Sequence, residues 1–178
     1  MKLYVARHAQ TNYNDLGLCN SDPKVEVHIT ELGIKQAKNL AEKLKNADID
    51  HIFVSELKRT RQTADIVNNF HNALVEVDPR LNDNRSGYEG RPDFEYYTAL
   101  DNSGDKWNVR FNEGESLEDV KQRVRSFISE LKTKDFNSVL IVTSMTIIQA
   151  IYSVIENRPN QEAWDLEVDK AGCREFET

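Results

Sequence analysis

Arg7 and His8 stand side by side after a short apolar run, Leu3–Val5, and the polar stretch beyond them carries Thr11 and Asn14. Such a run suits a buried strand of a mostly parallel sheet. A cation, an imidazole and hydrogen-bond donors therefore fall at the carboxyl end of a strand, where open α/β sheets bind ligands. Transfer of a phosphoryl group needs a nucleophile beside fixed positive charge, and these residues offer both. An Arg-His pair after a strand is equally an ordinary polar loop. The chemistry depends on what distant segments bring to it.

Three segments bring matching groups. Residues 55–63 follow a second apolar run and place Arg59 one turn into a helix, where a guanidinium and a helix N-terminus can face the same anion. Lys58 and Arg61 in that segment fit a solvated basic face. Arg80-Leu81-Asn82-Asp83 leads to Gly87, and Asp83 fits a general acid, although alone it reads equally as a turn aspartate. Residues 138–150 run from an apolar strand into an apolar helix, with Ser144 at the junction.

The elements that must position these groups alternate. Strands are expected at Leu3–Val5, Ile52–Val54, Val139–Val142 and Cys173–Phe176. Thr30 can cap a helix with Ala37, Leu40, Ala41 and Leu44 on its apolar face. Ser55 can cap another, with Ala64, Val67 and Phe70 inward. Ser116 opens a helix whose apolar face is Leu117, Val120, Val124, Phe127, Ile128 and Leu131, and Asp119 completes a capping box. Ile147–Ile155 is apolar almost all round and reads as a buried helix. Phe94, Tyr96, Tyr97 and Leu100 fit a short helix within a glycine-marked excursion, about residues 84–114. The expected fold is α/β: a three-layer sandwich, with a mostly parallel sheet between helices on both faces. A small insertion lies over the carboxyl ends of the strands, and residues 1–178 form a single domain.

Composition narrows the function. With 178 residues the chain can bury a sizeable core. A formal net charge of -7 argues against wrapping nucleic acid, which needs clustered Lys and Arg. A small anionic substrate in a locally positive pocket remains open. No run of about 18 apolar residues exists, so no membrane span is expected. Met1-Lys2 leads straight into a strand without a signal-peptide core, so a cytoplasmic location is expected. Cys19 and Cys173 have no metal-ligand spacing and are too few for a disulfide scaffold. No metal and no cofactor are expected.

Taken together, these segments resemble the histidine phosphatase superfamily, also called phosphoglycerate mutase-like, from Lys2 to about Phe176. The family's opening Arg-His-Gly motif appears as Arg7-His8-Ala9, with Thr11 and Asn14 following. Its GxxQA helix appears as Gly33-Ile34-Lys35-Gln36-Ala37. Its SxLxRAxQTA stretch runs from Ser55 to Ala64, with Thr60 for the usual Ala. Its LxExxxG stretch runs from Leu81 to Gly87, with Asp83 for Glu. Its GES helix start is Gly114-Glu115-Ser116. Each match is short, and their common order carries the resemblance.

The resemblance implies that His8 attacks phosphorus and becomes a phosphohistidine. Arg7 and Arg59 would clamp the phosphoryl oxygens, Asn14 and Thr11 would add neutral donors, and Asp83 would serve as general acid and then base. His8 must be neutral at the attacking nitrogen, with its other nitrogen donating to a backbone carbonyl. The partner implied is a small phosphorylated metabolite or free phosphate, with no nucleic acid and no membrane.

One departure matters. The family carries a second histidine in a (S/T)HGG(V/I)(I/V)R stretch, and here the aligned segment is Thr143-Ser144-Met145-Thr146-Ile147-Ile148-Gln149. Ser144 takes the histidine's place and Gln149 the arginine's; His28, His51 and His71 lie elsewhere. Losing one preorganised donor to the transition state costs about 3–4 kcal/mol, roughly 100- to 1,000-fold in rate. Ser144 offers a neutral hydrogen bond in part compensation. The expected function is a weakened phosphomonoesterase. The alternative is a catalytically silent phosphate-binding or regulatory module. A mutase is less favoured, because the excursion is short and holds aromatic Tyr88, Tyr96, Tyr97 and Trp107 beside its few basic residues.

Overall fold

In the computed structural model, which describes residues 1–177, the first apolar run extends as strand β1 (Lys2–Arg7). Arg7 closes the strand and His8 is the first residue beyond it. Strands β2 (His51–Val54), β4 (Ser138–Thr143) and β5 (Cys173–Glu177) lie at the expected places. A further strand, β3 (Leu74–Val77), completes one sheet in the order β3-β2-β4-β1-β5. All neighbours are parallel except β5, which runs antiparallel to β1. The sequence reading missed β3 because it is an edge strand: Leu74 and Val77 are exposed, so no continuous apolar run marks it.

The sheet is covered on both faces. Leu3, Val5, Phe53, Val139 and Ile141 point to one side and pack against α5 (Leu117–Leu131) and α6 (Met145–Ile155). Tyr4, Ala6, Ile52, Val54, Leu140 and Val142 point to the other and pack against α2 (Glu31–Leu44) and α3 (Lys58–Asn68). This two-residue alternation, apolar on both phases, makes β1, β2 and β4 read as unbroken apolar runs. Each large side chain buried this way contributes about 1.5–3 kcal/mol. The result is the expected α/β architecture, mostly parallel with helices on both faces. No helix among the described residues is long and apolar enough to cross a membrane.

Two local expectations are corrected. Ser55 does not cap α3. The helix begins at Lys58 with Leu57 at its cap and no side-chain bond there, while the Ser55 hydroxyl accepts the Leu57 N–H at 3.2 Å and pairs with Thr60 Oγ1 at 2.9 Å. Phe70 is half exposed, because α3 ends at Asn68 and Phe70 no longer follows the helical face. The capping box at Ser116 and Asp119 is present, as is the Thr30 cap. Short helices α1 (Asn12–Leu16) and α7 (Asn160–Trp164) were not marked by any periodicity. In the excursion, α4 (Asp93–Asn102) buries Tyr96 and Leu100 with Leu117 against Cys19, Tyr88 and Trp107.

One glycine governs how α2 meets the loop after His8. A Cβ on Gly33 would lie 2.2 Å from the Gln10 carbonyl oxygen. That contact lets Gln36 accept the Gln10 N–H at 2.9 Å and lets Thr30 donate to both Gln10 oxygens. Gly33→Ala gains about 1 kcal/mol of helix propensity but forces backbone apart at a cost of about 1–3 kcal/mol or more. The expected outcome is a lower melting temperature, by roughly 2–8 °C, measured by calorimetry. An unchanged or raised melting temperature would show that the loop yields freely.

Candidate active site

The carboxyl ends of β1 and β4 are tied together where the His8 N–H donates to the Thr143 carbonyl at 2.8 Å. The connections leaving these neighbouring strands pass to opposite faces of the sheet, which opens the crevice that α/β sheets use for ligands. A cleft of about 260 Å³ lies there. Its wall includes Arg7, His8, Asn14, Arg59, Asp83, Ser144 and Lys170, with Asn84, Tyr96 and Tyr97 from the excursion. Six of the seven residues expected at the site thus share one cleft. A larger recess, about 730 Å³, adjoins it across Asp83, but neither Arg7, His8 nor Arg59 lines it.

His8 is almost fully buried. Its Nδ1 lies 2.8 Å from the Ala9 carbonyl oxygen. A carbonyl only accepts, so Nδ1 carries the hydrogen and Nε2 carries the lone pair. Burial holds the imidazole well below its usual range, and the charges of Arg59, Lys170 and Arg7 act in the same direction against the bond to Ala9. The ring is therefore neutral at physiological pH. Ala9 itself is buried in the apolar cluster beside α2, with its N–H donated to Thr63 Oγ1 at 3.0 Å, so alanine fits where the family has glycine.

The cations are held by backbone and by one carboxylate. Arg7 Nη1 donates to the Val168 carbonyl at 2.8 Å. Arg59 donates to Asn20 Oδ1 at 2.8 Å, to the Asn20 carbonyl at 2.9 Å and to Asp83 Oδ2 at 3.0 Å. The Nε groups of both arginines are buried without a partner. Thr63, one turn along α3, donates to the Arg59 carbonyl at 2.8 Å while receiving Ala9, so a single hydroxyl joins the Arg59 backbone to the His8 loop.

Asp83 is fixed from three directions. Ser144 Oγ donates to its Oδ1 at 2.7 Å and Arg59 to its Oδ2. The loop that carries it is gripped by Thr143, which donates to the Leu81 carbonyl at 2.7 Å, and by Arg123, which donates to the Asn82 carbonyl at 2.8 Å. The Ser144 hydroxyl is thus directed at Asp83. Gln149, aligned with the family's arginine, donates to the carbonyls of Trp164 and Leu166 and holds the segment after α7.

Thr11 is the exception among the expected residues. It does not line the cleft; it is fully buried and forms a reciprocal cap with Asn14 at the start of α1, each bond 3.1 Å. Its role in the structure is to orient Asn14, which does line the cleft. Sequence reasoning missed Asn20 and Lys170. Asn20 sits in a loop without periodicity. Lys170 follows a run of mixed charge, Glu167-Val168-Asp169, that gives no signal of burial.

The chain is similar to known proteins along nearly its whole length. The sequence model described as histidine phosphatase superfamily (branch 1) matches residues 3–178. The chain is 31% identical to the adenosylcobalamin/alpha-ribazole phosphatase of Salmonella typhimurium, across 97% of this chain and 88% of that one. It is 29% identical to phosphoserine phosphatase 1 of Hydrogenobacter thermophilus, across 96% of this chain and 83% of that one. The crystal structure of the alpha-ribazole phosphatase from Shigella flexneri matches with a TM-score of 0.84 at 29% identity, over 99% of this chain and 90% of that chain.

The neutral His8 makes stability depend on pH. Its folded-state value lies well below 6.5, so below pH 6.5 the unfolded chain binds a proton there that the folded chain does not. Stability falls as pH drops through that window, by up to about 1.4 kcal/mol per pH unit for one proton. Urea denaturation between pH 7 and pH 5 is expected to show a slope steeper in wild type than in His8→Gln, by roughly 1 kcal/mol per unit. Parallel slopes would show that His8 ionises normally in the folded protein.

Proposed function

This chain belongs to the histidine phosphatase superfamily (branch 1), and from that premise we propose that it hydrolyses a phosphate monoester of a small metabolite through a phosphohistidine at His8. The observation that carries the reading is the neutral imidazole of His8, with its tautomer set by Ala9, beside the guanidinium groups of Arg7 and Arg59. A neutral nucleophile next to fixed cations suits a dianion and stabilises charge on its equatorial oxygens. The named relatives are phosphatases of small phosphorylated compounds, which supports the same class of substrate.

The steps follow from the residues present. Nε2 of His8 attacks phosphorus; the P–N bond forms as the ester P–O bond breaks. Asp83, released from Arg59 by the substrate phosphate and carrying a proton received from the ester monoanion, gives it to the departing alkoxide oxygen. Water then attacks the phosphohistidine, Asp83 takes a proton from it, and the P–N bond breaks to release phosphate and restore His8. Arg7 and Arg59 hold the phosphoryl oxygens throughout, with Asn14 as a neutral donor. In the structure Asp83 is bonded to Arg59 and Ser144, so substrate phosphate competes with the carboxylate for the Arg59 guanidinium.

A second reading, a phosphate-binding module without turnover, is favoured by one observation. The Ser144 hydroxyl is engaged with Asp83, which leaves no side-chain cation at the start of α6. Release of phosphate from a generic aryl phosphate ester separates the two. Turnover of about 10 per second, lowered by the loss of one donor, predicts roughly 0.01–0.1 per second for wild type. His8→Ala is expected to abolish it, and Ser144→His to raise it at least about tenfold. Vanadate affinity without turnover in wild type or in Ser144→His would leave the binding module as the function.

A further inference from the structure

Lys170 is the one cation of the cleft that no mechanism above uses. It sits in the turn between α7 and β5, and that turn is stitched to the nucleophile's own backbone. The Ala171 N–H donates to the His8 carbonyl at 3.3 Å, and the Arg7 N–H donates to the Gly172 carbonyl at 2.9 Å. Ala171 is held at φ +53°, a left-handed conformation that residues with a side chain rarely adopt. The Gly172 N–H closes the turn on the Asp169 carbonyl at 2.8 Å. A strained, hydrogen-bonded turn thus brings Lys170 against the same cleft as Arg7, His8, Arg59, Asp83 and Ser144.

The Lys170 ammonium has no hydrogen bond and no ion pair among the described residues, whereas Arg59 has Asp83 and Arg7 has Val168. A partly buried ammonium without a partner is unfavourable unless an anion meets it. The cation stands beside a nucleophile at which a dianion reacts, and the start of α6 offers only the neutral Ser144. We propose that Lys170 is a catalytic residue of this site, donating to the phosphoryl oxygens of the bound ester and of the phosphohistidine and supplying the third positive charge that Ser144 does not. The proposal rests on the phosphate chemistry assigned to His8. It adds no proton transfer to the steps above; the charged form of Lys170 keeps its proton through both of them.

The surroundings make this contact sensitive to pH. Burial lowers Lys170 to about 7, with Arg7 and Arg59 acting in the same direction and Asp83 and Asp93 opposing. Those groups come from β1, α3, the loop before the excursion and α4, and His8 beside them is neutral. The ammonium is charged below that value and loses its charge above it, so anion affinity falls as pH rises through and beyond about 7. Arginine at the same position keeps its charge across this range.

Calorimetry with orthovanadate and with inorganic phosphate, at pH 6.5 and pH 8.5, tests the assignment independently of turnover. Lys170→Met is expected to weaken binding roughly 10- to 100-fold at pH 6.5, the range for a charge-assisted hydrogen bond. Lys170→Arg is expected to bind within a few-fold of wild type at pH 6.5 and to lose less affinity than wild type at pH 8.5. Comparing the proteins at each pH cancels the titration of the ligand itself. Lys170→Gln repeats the neutral arm should the methionine variant fail to fold. Lys170→Met binding within twofold of wild type overturns the role of Lys170 and leaves the reading of His8 standing. Equal weakening in the Met and Arg variants, with the wild-type pH dependence retained, also overturns it, because position rather than charge would then matter. No measurable affinity in wild type overturns both readings.

Discussion

Arg59 is a charged side chain placed almost wholly out of water, and much of the site follows from what that requires. Removing one member of a buried ion pair costs about 3–5 kcal/mol, because the other is left uncompensated. Asp83 supplies the compensating carboxylate, and the chain spends several bonds on keeping it there. Ser144 donates to it, while Thr143 and Arg123 hold the loop on which it stands. These partners come from β4, α5 and the strand-to-helix junction, so the pair joins both faces of the sheet at one point. A buried ion pair is weak evidence of stability. Its value here is geometric: it sets a carboxylate and a guanidinium next to His8 before any ligand arrives.

The same economy appears around His8. A cationic imidazole would be useless as a nucleophile and expensive beside Arg7 and Arg59. Burial and neighbouring charge both act to keep the ring neutral, and the Ala9 carbonyl selects the tautomer. The residues of the sequence motifs divide accordingly. Arg7, His8, Arg59 and Asp83 reach the cleft, whereas Gly33, Gln36 and Thr63 hold the loop that presents them.

Legibility followed burial. Strands β1, β2 and β4 are apolar on both faces, so their sequences announce them; β3, half exposed at the sheet edge, alternates too briefly to be seen. Helices with wide apolar faces, α2, α5 and α6, were readable, while α1 and α7, five residues each, bury too little to leave a pattern. In the site, Arg59 was legible because it stands at a helix start after an apolar strand, although α3 begins at Lys58 and makes it the second helical residue rather than one a full turn in. Lys170 was not, because a turn carries no period: its placement depends on a left-handed Ala171 and on bonds to Arg7 and His8 that only the fold creates. Thr11 was misassigned for the opposite reason. A hydroxyl near a nucleophile looks like a ligand contact, and the local demand of a helix N-terminus claimed it first.

Ser144 is the cap residue of α6, yet its side chain makes no capping bond, and Met145 and Thr146 just inside the helix line the cleft. The N-terminus of α6, with its partial positive charge, therefore lies at the site. That field is worth about 0.3–1 kcal/mol at an exposed position and up to about 2 kcal/mol where it is partly buried. A lost transition-state donor costs about 3–4 kcal/mol. The helix end thus recovers at most about two-thirds of the deficit, and the neutral hydroxyl, already committed to Asp83, adds little to it. If His8 is the nucleophile proposed above, the rest of that positive charge must come from side chains of the cleft, and among the residues lining it the cations are Arg7, Arg59 and Lys170.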